Sequence, residues 1–150
     1  MVHDGDHSAV LGLFKVAVGD DDAVPYPGDG EHVWSTVHVD DLADLYVRAL
    51  ERAAAGTVYI GASDSYVRVK DLARYVSSRI GLEGRTQPMS VEDLRRRVGP
   101  MVELVATPAA FTGDRARAEL AWVTRSDPLA IPPARQSLER HGKWKTIESY

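Results

Sequence analysis

Gly28-Asp29-Gly30-Glu31-His32-Val33-Trp34-Ser35-Thr36-Val37-His38-Val39-Asp40-Asp41-Leu42-Ala43 is the stretch that decides the fold class. The two glycines mark a turn. Trp34 to Val39 follows, rich in β-branched and aromatic residues, and reads as a strand. Strict alternation puts Trp34, Thr36 and His38 on one face and Ser35, Val37 and Val39 on the other. Asp40 or Asp41 supplies an N-cap, since a carboxylate accepts from the free amides of a first helical turn. Leu42, Leu45, Tyr46, Ala49, Leu50 and Ala53 then recur at spacings of three and four, which predicts a helix closed by Gly56.

Strand-then-helix repeats further along. Thr57 to Ala62 carries no charge and is expected to be a strand buried on both faces, as in a parallel sheet. Val69, Leu72, Ala73, Val76 and Ile80 form an amphipathic helix stopped by Gly81. Arg85 to Pro88 reads as a small strand, and Ser90 with Asp93 as a capping box opening a helix to about Val98. Pro100 to Ala106 and Thr112 to Ala121 are helical, with Trp122 just beyond. Upstream, Ala9 to Val18 predicts a short buried helix ended by Gly19, and Pro25, Pro27, Gly28 and Gly30 a turn-rich connection. The chain is therefore α/β, with residues 1–125 as one region and 126–150 as a Pro-containing, loosely docked polar tail. A doubly wound sheet needs more strands than this. The Rossmann-type pattern is incomplete.

Composition excludes several classes. The 150 residues are 44% hydrophobic and 27% charged, with a formal net charge of −4, so disorder throughout is not expected. That charge gives no reason to expect nucleic acid or an anionic membrane as partner. Arg95, Arg96 and Arg97 sit among Glu92, Asp93 and Glu103 and read as a solvated helix face. Cysteine is absent, which excludes disulfides and thiolate metal sites. The acidic opening Met1-Val2-His3-Asp4 has no apolar core of a secretory signal, and no stretch has the length of a membrane span; a cytoplasmic location is the expectation.

The strand ending His38-Val39-Asp40-Asp41 with its Leu42-Ala43 helix resembles the C-terminal half of the extended short-chain dehydrogenase/reductase superfamily, which includes NAD-dependent epimerases and dehydratases. Tyr59-Ile60-Gly61-Ala62 is similar to that family's next strand, and Tyr66-Val67-Arg68-Val69-Lys70-Asp71-Leu72-Ala73 to the helix opening after it. Arg115-Ala116-Arg117-Ala118-Glu119-Leu120-Ala121-Trp122 is similar to a Leu-Gly-Trp element near the family's C-terminus. Val2-His3-Asp4-Gly5-Asp6-His7 looks like the loop after a core strand in one atypical branch. Together these stretches occur in the family's order and cover roughly Val2 to Trp122. Arg68 stands where a serine cap is common, Ala121 where glycine is, and the tail beyond Trp122 has no counterpart.

The resemblance implies a substrate-side portion of an NAD(P)-dependent oxidoreductase or epimerase. NAD or NADP would serve the full-length protein, and none is expected to bind this chain alone. The family's Gly-x-x-Gly-x-x-Gly turn, which brings a helix N-terminus to the pyrophosphate, does not occur in the sequence. Gly28-Asp29-Gly30 is no substitute, because Asp29 and Glu31 repel phosphate. Tyr66 and Lys70 have the spacing of the family's Tyr-x-x-x-Lys base, yet Tyr66 precedes its helix, and the resemblance puts it at a non-catalytic helix entry. No catalytic residue is assigned. His3, Asp4, Asp6 and His7 could be a metal cluster but lack an evident ligand set. Ser35, His38 and Asp40 lie too close on one strand for a triad.

Substrate binding is expected at His3, Trp34 and His38. Trp34 replaces an arginine that, in nucleotide-sugar members of the family, pairs with the substrate diphosphate. An indole offers a flat apolar face and one N–H, which suits an uncharged or aromatic small molecule; the plain structural reading is Trp34 in the core. The alternative to a substrate-side fragment is a non-enzymatic interaction module that folds by self-association, or with a partner covering the exposed sheet edge at Thr57 to Ala62. A third reading is a small independent enzyme using Tyr66 and Lys70.

Overall fold

The computed structural model describes residues 1–3, 8–64 and 66–126, so all but the first residue of the expected tail lies outside the described residues. The architecture is mixed α/β. Its strands are short and form three two-stranded sheets among the described residues.

The first pair is parallel: β1 (Val2–His3) lies beside β4 (Val37–His38), with His3 opposite His38. A second parallel pair joins β2 (Val24–Pro27) to β6 (Thr86–Met89). The third, antiparallel, joins β3 (Val33–Ser35) to β5 (Tyr66–Arg68) and sets Trp34 against Val67. β6 falls where the small strand is expected. β2 does not, because its prolines read as turn signals. Val24 and Gly28 donate their N–H groups toward β6, to Arg85 and Met89. By alternation Pro25 and Pro27 face the other side, where no donor is demanded.

The expected strand Trp34 to Val39 is in fact two. Thr36 separates β3 from β4, each with a different partner, and Val39 already belongs to α2 (Val39–Arg52). The cap is therefore His38 rather than Asp40 or Asp41: its Nδ1 accepts from the Asp40 amide at 3.2 Å. Both aspartates sit in the first turn, where the helix dipole favours negative charge.

The remaining helices follow their apolar periods. They are α1 (Ala9–Ala17), α3 (Val69–Arg79), α4 (Val91–Val98), α5 (Val102–Ala106, entered through a 3-10 turn at Gly99–Met101) and α6 (Asp114–Leu120). The Ser90 hydroxyl accepts from the Asp93 amide at 3.0 Å, as the capping box requires. α6 ends on Ala121 at φ +49°, the left-handed conformation that glycine enters at no steric cost.

Two apolar clusters result. The larger buries Leu11, Phe14, Val24, Trp34, Val67, Leu72, Val76, Leu94 and Val102 among α1, α3, α4, α5 and the second and third sheets. The smaller gathers Val37, Leu45, Ala116, Leu120 and Trp122 between α2 and α6. Thr57 to Ala62 flanks the smaller cluster as extended chain but is not a strand. Nor is it buried on both faces: Val58 is 75% and Ile60 47% exposed. Tyr59 packs on the cluster, and a Cβ added at Gly61 would strike Leu42 at 2.6 Å, so this face lies hard against α2. Its tie to the neighbouring strand segment is the Ser63 amide, which donates to the Thr36 carbonyl at 2.8 Å.

Candidate substrate-facing site

Buried polar side chains concentrate in one place. Of the seven buried polar or charged residues among those described, His3, Ser35, Thr36, His38, Asp41 and Ser63 lie on or beside β1, β4 and the start of α2; Ser77 alone is elsewhere. Burial of so many polar groups together is costly unless each is used. β1 and β4 run parallel and end at His3 and His38, so both imidazoles occupy the carboxyl ends of adjacent parallel strands. In open α/β sheets that is the end at which ligands bind.

The two rings meet edge to face, with centroids 5.4 Å apart and planes at 82°. Because His38 Nδ1 accepts the Asp40 amide, the neutral ring carries its proton on Nε2. The same Nδ1 lies 3.6 Å from the Asp40 carboxylate. Ser35 is consumed structurally: its Oγ donates to the Phe111 carbonyl at 2.8 Å and accepts from the Phe111 amide at 2.7 Å. The hydroxyl of Thr36, fully buried, has no hydrogen-bond partner among the described residues.

Trp34 lies within the larger cluster at 5% exposure, and its indole N–H donates to the Thr107 carbonyl at 2.9 Å. Asp41 has a structural role, though a different one from capping. Its carboxylate accepts from the amides of Arg125 and Ser126, each at 3.2 Å, while its carbonyl accepts from Trp122 Nε1 at 2.8 Å. It thereby fixes the segment leaving α6 against the start of α2.

Tyr66 and Lys70 are arranged for other contacts. Tyr66 stands opposite Ser35 on β5 and is 47% exposed, whereas the Lys70 ammonium pairs with Glu31, which also meets Arg68 at 3.5 Å. No group of three or more potential metal ligands occurs among the described residues. Asp4, Asp6 and His7 lie outside them. No helix among the described residues is long and apolar enough to cross a membrane. Thr36 and Ser63 are buried hydroxyl residues beside the candidate site that residue type and spacing did not single out.

No family model matches the chain. A curated relative, the uncharacterized protein C2A9.02 of Schizosaccharomyces pombe, is 33% identical over 78 residues, 52% of this chain and 26% of that protein. Among solved structures, the dTDP-glucose 4,6-dehydratase of Bacillus anthracis in complex with NAD matches with a TM-score of 0.60 at 15% identity, over 94% of this chain and 43% of its own. The epimerase Mth375 of Methanothermobacter thermautotrophicus matches at 0.59 and 16% identity, over 82% of this chain and 35% of its own. The likeness is one of fold. The chain spans about a quarter of the curated relative and under half of each of these two structures, matching part of a Rossmann-like epimerase or dehydratase architecture.

Proposed function

We propose that this chain is the substrate-binding portion of an NAD(P)-dependent oxidoreductase- or epimerase-like protein and is not catalytic alone. One observation carries the reading: two imidazoles stand side by side at the carboxyl ends of adjacent parallel strands, within the cluster that holds most of the buried polar side chains. His3 and His38 border the substrate, whereas Trp34 is buried in the larger cluster with its indole N–H on the Thr107 carbonyl and packs as core. With no arginine at Trp34, the substrate is an uncharged or aromatic small molecule rather than a sugar diphosphate. The cofactor belongs to the full-length protein; this chain has no glycine-rich turn with which to hold it.

Two measurements test this. Titration of the isolated chain with NADH and NADPH, followed by cofactor fluorescence, is expected to show no micromolar binding. Imidazole NMR signals of His3 and His38 are expected to shift with indole or benzyl alcohol and to ignore UDP-glucose. Micromolar cofactor affinity would overturn the division of labour; a response to UDP-glucose alone would overturn the substrate class. The second reading, a non-enzymatic module completed by its own copy or a partner, is favoured by the apolar side chains that α2 and the 57–61 segment leave exposed.

A further inference from the structure

The two imidazoles of the candidate site are not equivalent. His3 is 1% exposed and meets His38 edge to face, with ring centroids 5.4 Å apart. His38 is 8% exposed, and one of its nitrogens is already committed. Its Nδ1 lies 3.2 Å from the Asp40 amide nitrogen and 3.6 Å from the Asp40 carboxylate. The shorter contact is within hydrogen-bond reach and the longer is not, so Nδ1 acts as an acceptor. The neutral ring then holds its proton on Nε2.

Helix α2 enforces that choice. The Asp40 amide belongs to its first turn, where N–H groups have no partner inside the helix and take one from the capping side chain. An amide only donates, so a proton on Nδ1 would set two donors against each other. Nε2 has no hydrogen-bond partner among the described residues, and it is not one of the fully enclosed unpaired nitrogens. The small accessible part of this buried ring thus includes an N–H donor of fixed direction.

We infer that His38 is a specificity-determining residue whose Nε2–H donates to the substrate, so that the substrate sets a neutral acceptor, a carbonyl or ether oxygen, against it. This rests on the substrate reading above and sharpens it from an uncharged molecule to one with an acceptor at that point. A ligand that covers the ring with hydrocarbon alone strips Nε2–H of water and gives nothing back, which is costly. The Asp40 carboxylate on the Nδ1 side of the ring disfavours an anion there.

Acetophenone and ethylbenzene have nearly the same shape and differ in one carbonyl. NMR titration of the full 150-residue chain with each isolates the bond, run at about pH 8, the alkaline end of the range in which imidazoles titrate. Ring nitrogen shifts of His38 are expected to show the Nε2–H tautomer, and acetophenone to bind about fivefold tighter than ethylbenzene. Two variants divide the roles. His38→Asn keeps an acceptor for the Asp40 amide, so the melt should hold while the preference for acetophenone disappears. His38→Gln puts an amide N–H near the Nε2 position but gives up the cap, so the melt should fall while the preference survives. The wild-type tautomer and affinity ratio decide the matter even if a variant fails to fold. An Nδ1–H tautomer overturns the inference, as does a preference that His38→Asn retains. Equal affinity for the two probes overturns it and leaves the substrate reading standing. No response of either imidazole to either probe overturns that reading and this inference together.

Discussion

Trp34→Arg puts a guanidinium at the position where this chain has an indole. The indole is 5% exposed, stands opposite Val67 on β5, and donates to the Thr107 carbonyl. A guanidinium can replace that donor but brings a charge into the larger apolar cluster. An uncompensated buried charge costs about 3–5 kcal/mol. Lost aromatic packing adds a share of the roughly 3–5 kcal/mol that truncating a buried Trp costs. Against a total stability of about 5–15 kcal/mol, the variant should be largely unfolded or melt far below wild type. Trp34→Phe separates the terms: it keeps a ring but orphans the carbonyl, at about 1–3 kcal/mol. For a chain of this size that is a drop of roughly 2–12 °C. Circular dichroism during heating and in urea reads both variants without relying on the mutated fluorophore. An arginine variant melting within a few degrees of wild type would refute the reasoning and make Trp34 a pocket wall facing solvent.

Two other contacts give sharp expectations. Asp41→Asn keeps the shape but lets the side chain accept from one of the Arg125 and Ser126 amides at most; a loss of about 1–2 kcal/mol is expected, with faster hydrogen exchange at those two amides, and unchanged exchange there would show the clamp is idle. The Tyr59–Glu119 bond leaves a signature at both ends of the pH scale. Glu119 is held below its ordinary value near 4.5 by the Tyr59 hydroxyl and then Arg115, so its contribution is present above that value and lost as pH falls. Tyr59 is raised above 10.0, chiefly by its bond to Glu119, so its contribution is present below 10.0 and lost as pH rises. Tyr59→Phe should flatten both limbs of urea midpoint against pH, slightly, since the pair is exposed; an acid limb identical to wild type would count against it.

Periodicity made the helices legible because each buries one stripe: α3 keeps Val69, Leu72, Ala73 and Val76 inside, as their spacing requires. The Ser90–Asp93 cap was legible because it is local chemistry. What failed was decided by distant partners. Nothing near Thr36 announces that the chain changes sheets there, since β5 and β1 are supplied by residues about thirty positions away on either side. Thr57 to Ala62 has a strand's composition, but pairing needs a neighbour, and among the described residues the backbone bond to a strand segment comes just beyond it, from Ser63 to Thr36. For the site, histidines and a tryptophan draw attention by type. The buried hydroxyls of Thr36 and Ser63 do not, and their importance comes from burial alone.

The unfinished features of the fold share one location. The larger cluster is enclosed by elements of this chain on every side that its partly buried neighbours describe, from α1 to α5. The smaller one is held by α6, by Trp122 and by the Asp41 clamp, while the helix that covers it turns a second apolar stripe outward. Among the described residues its underlying sheet is a parallel pair two residues long, although parallel sheets are normally broad and covered on both faces. His3 and His38 terminate that same pair. Adding a strand beside β1, or a helix against α2, would therefore change the surroundings of the two imidazoles as directly as it would extend the core.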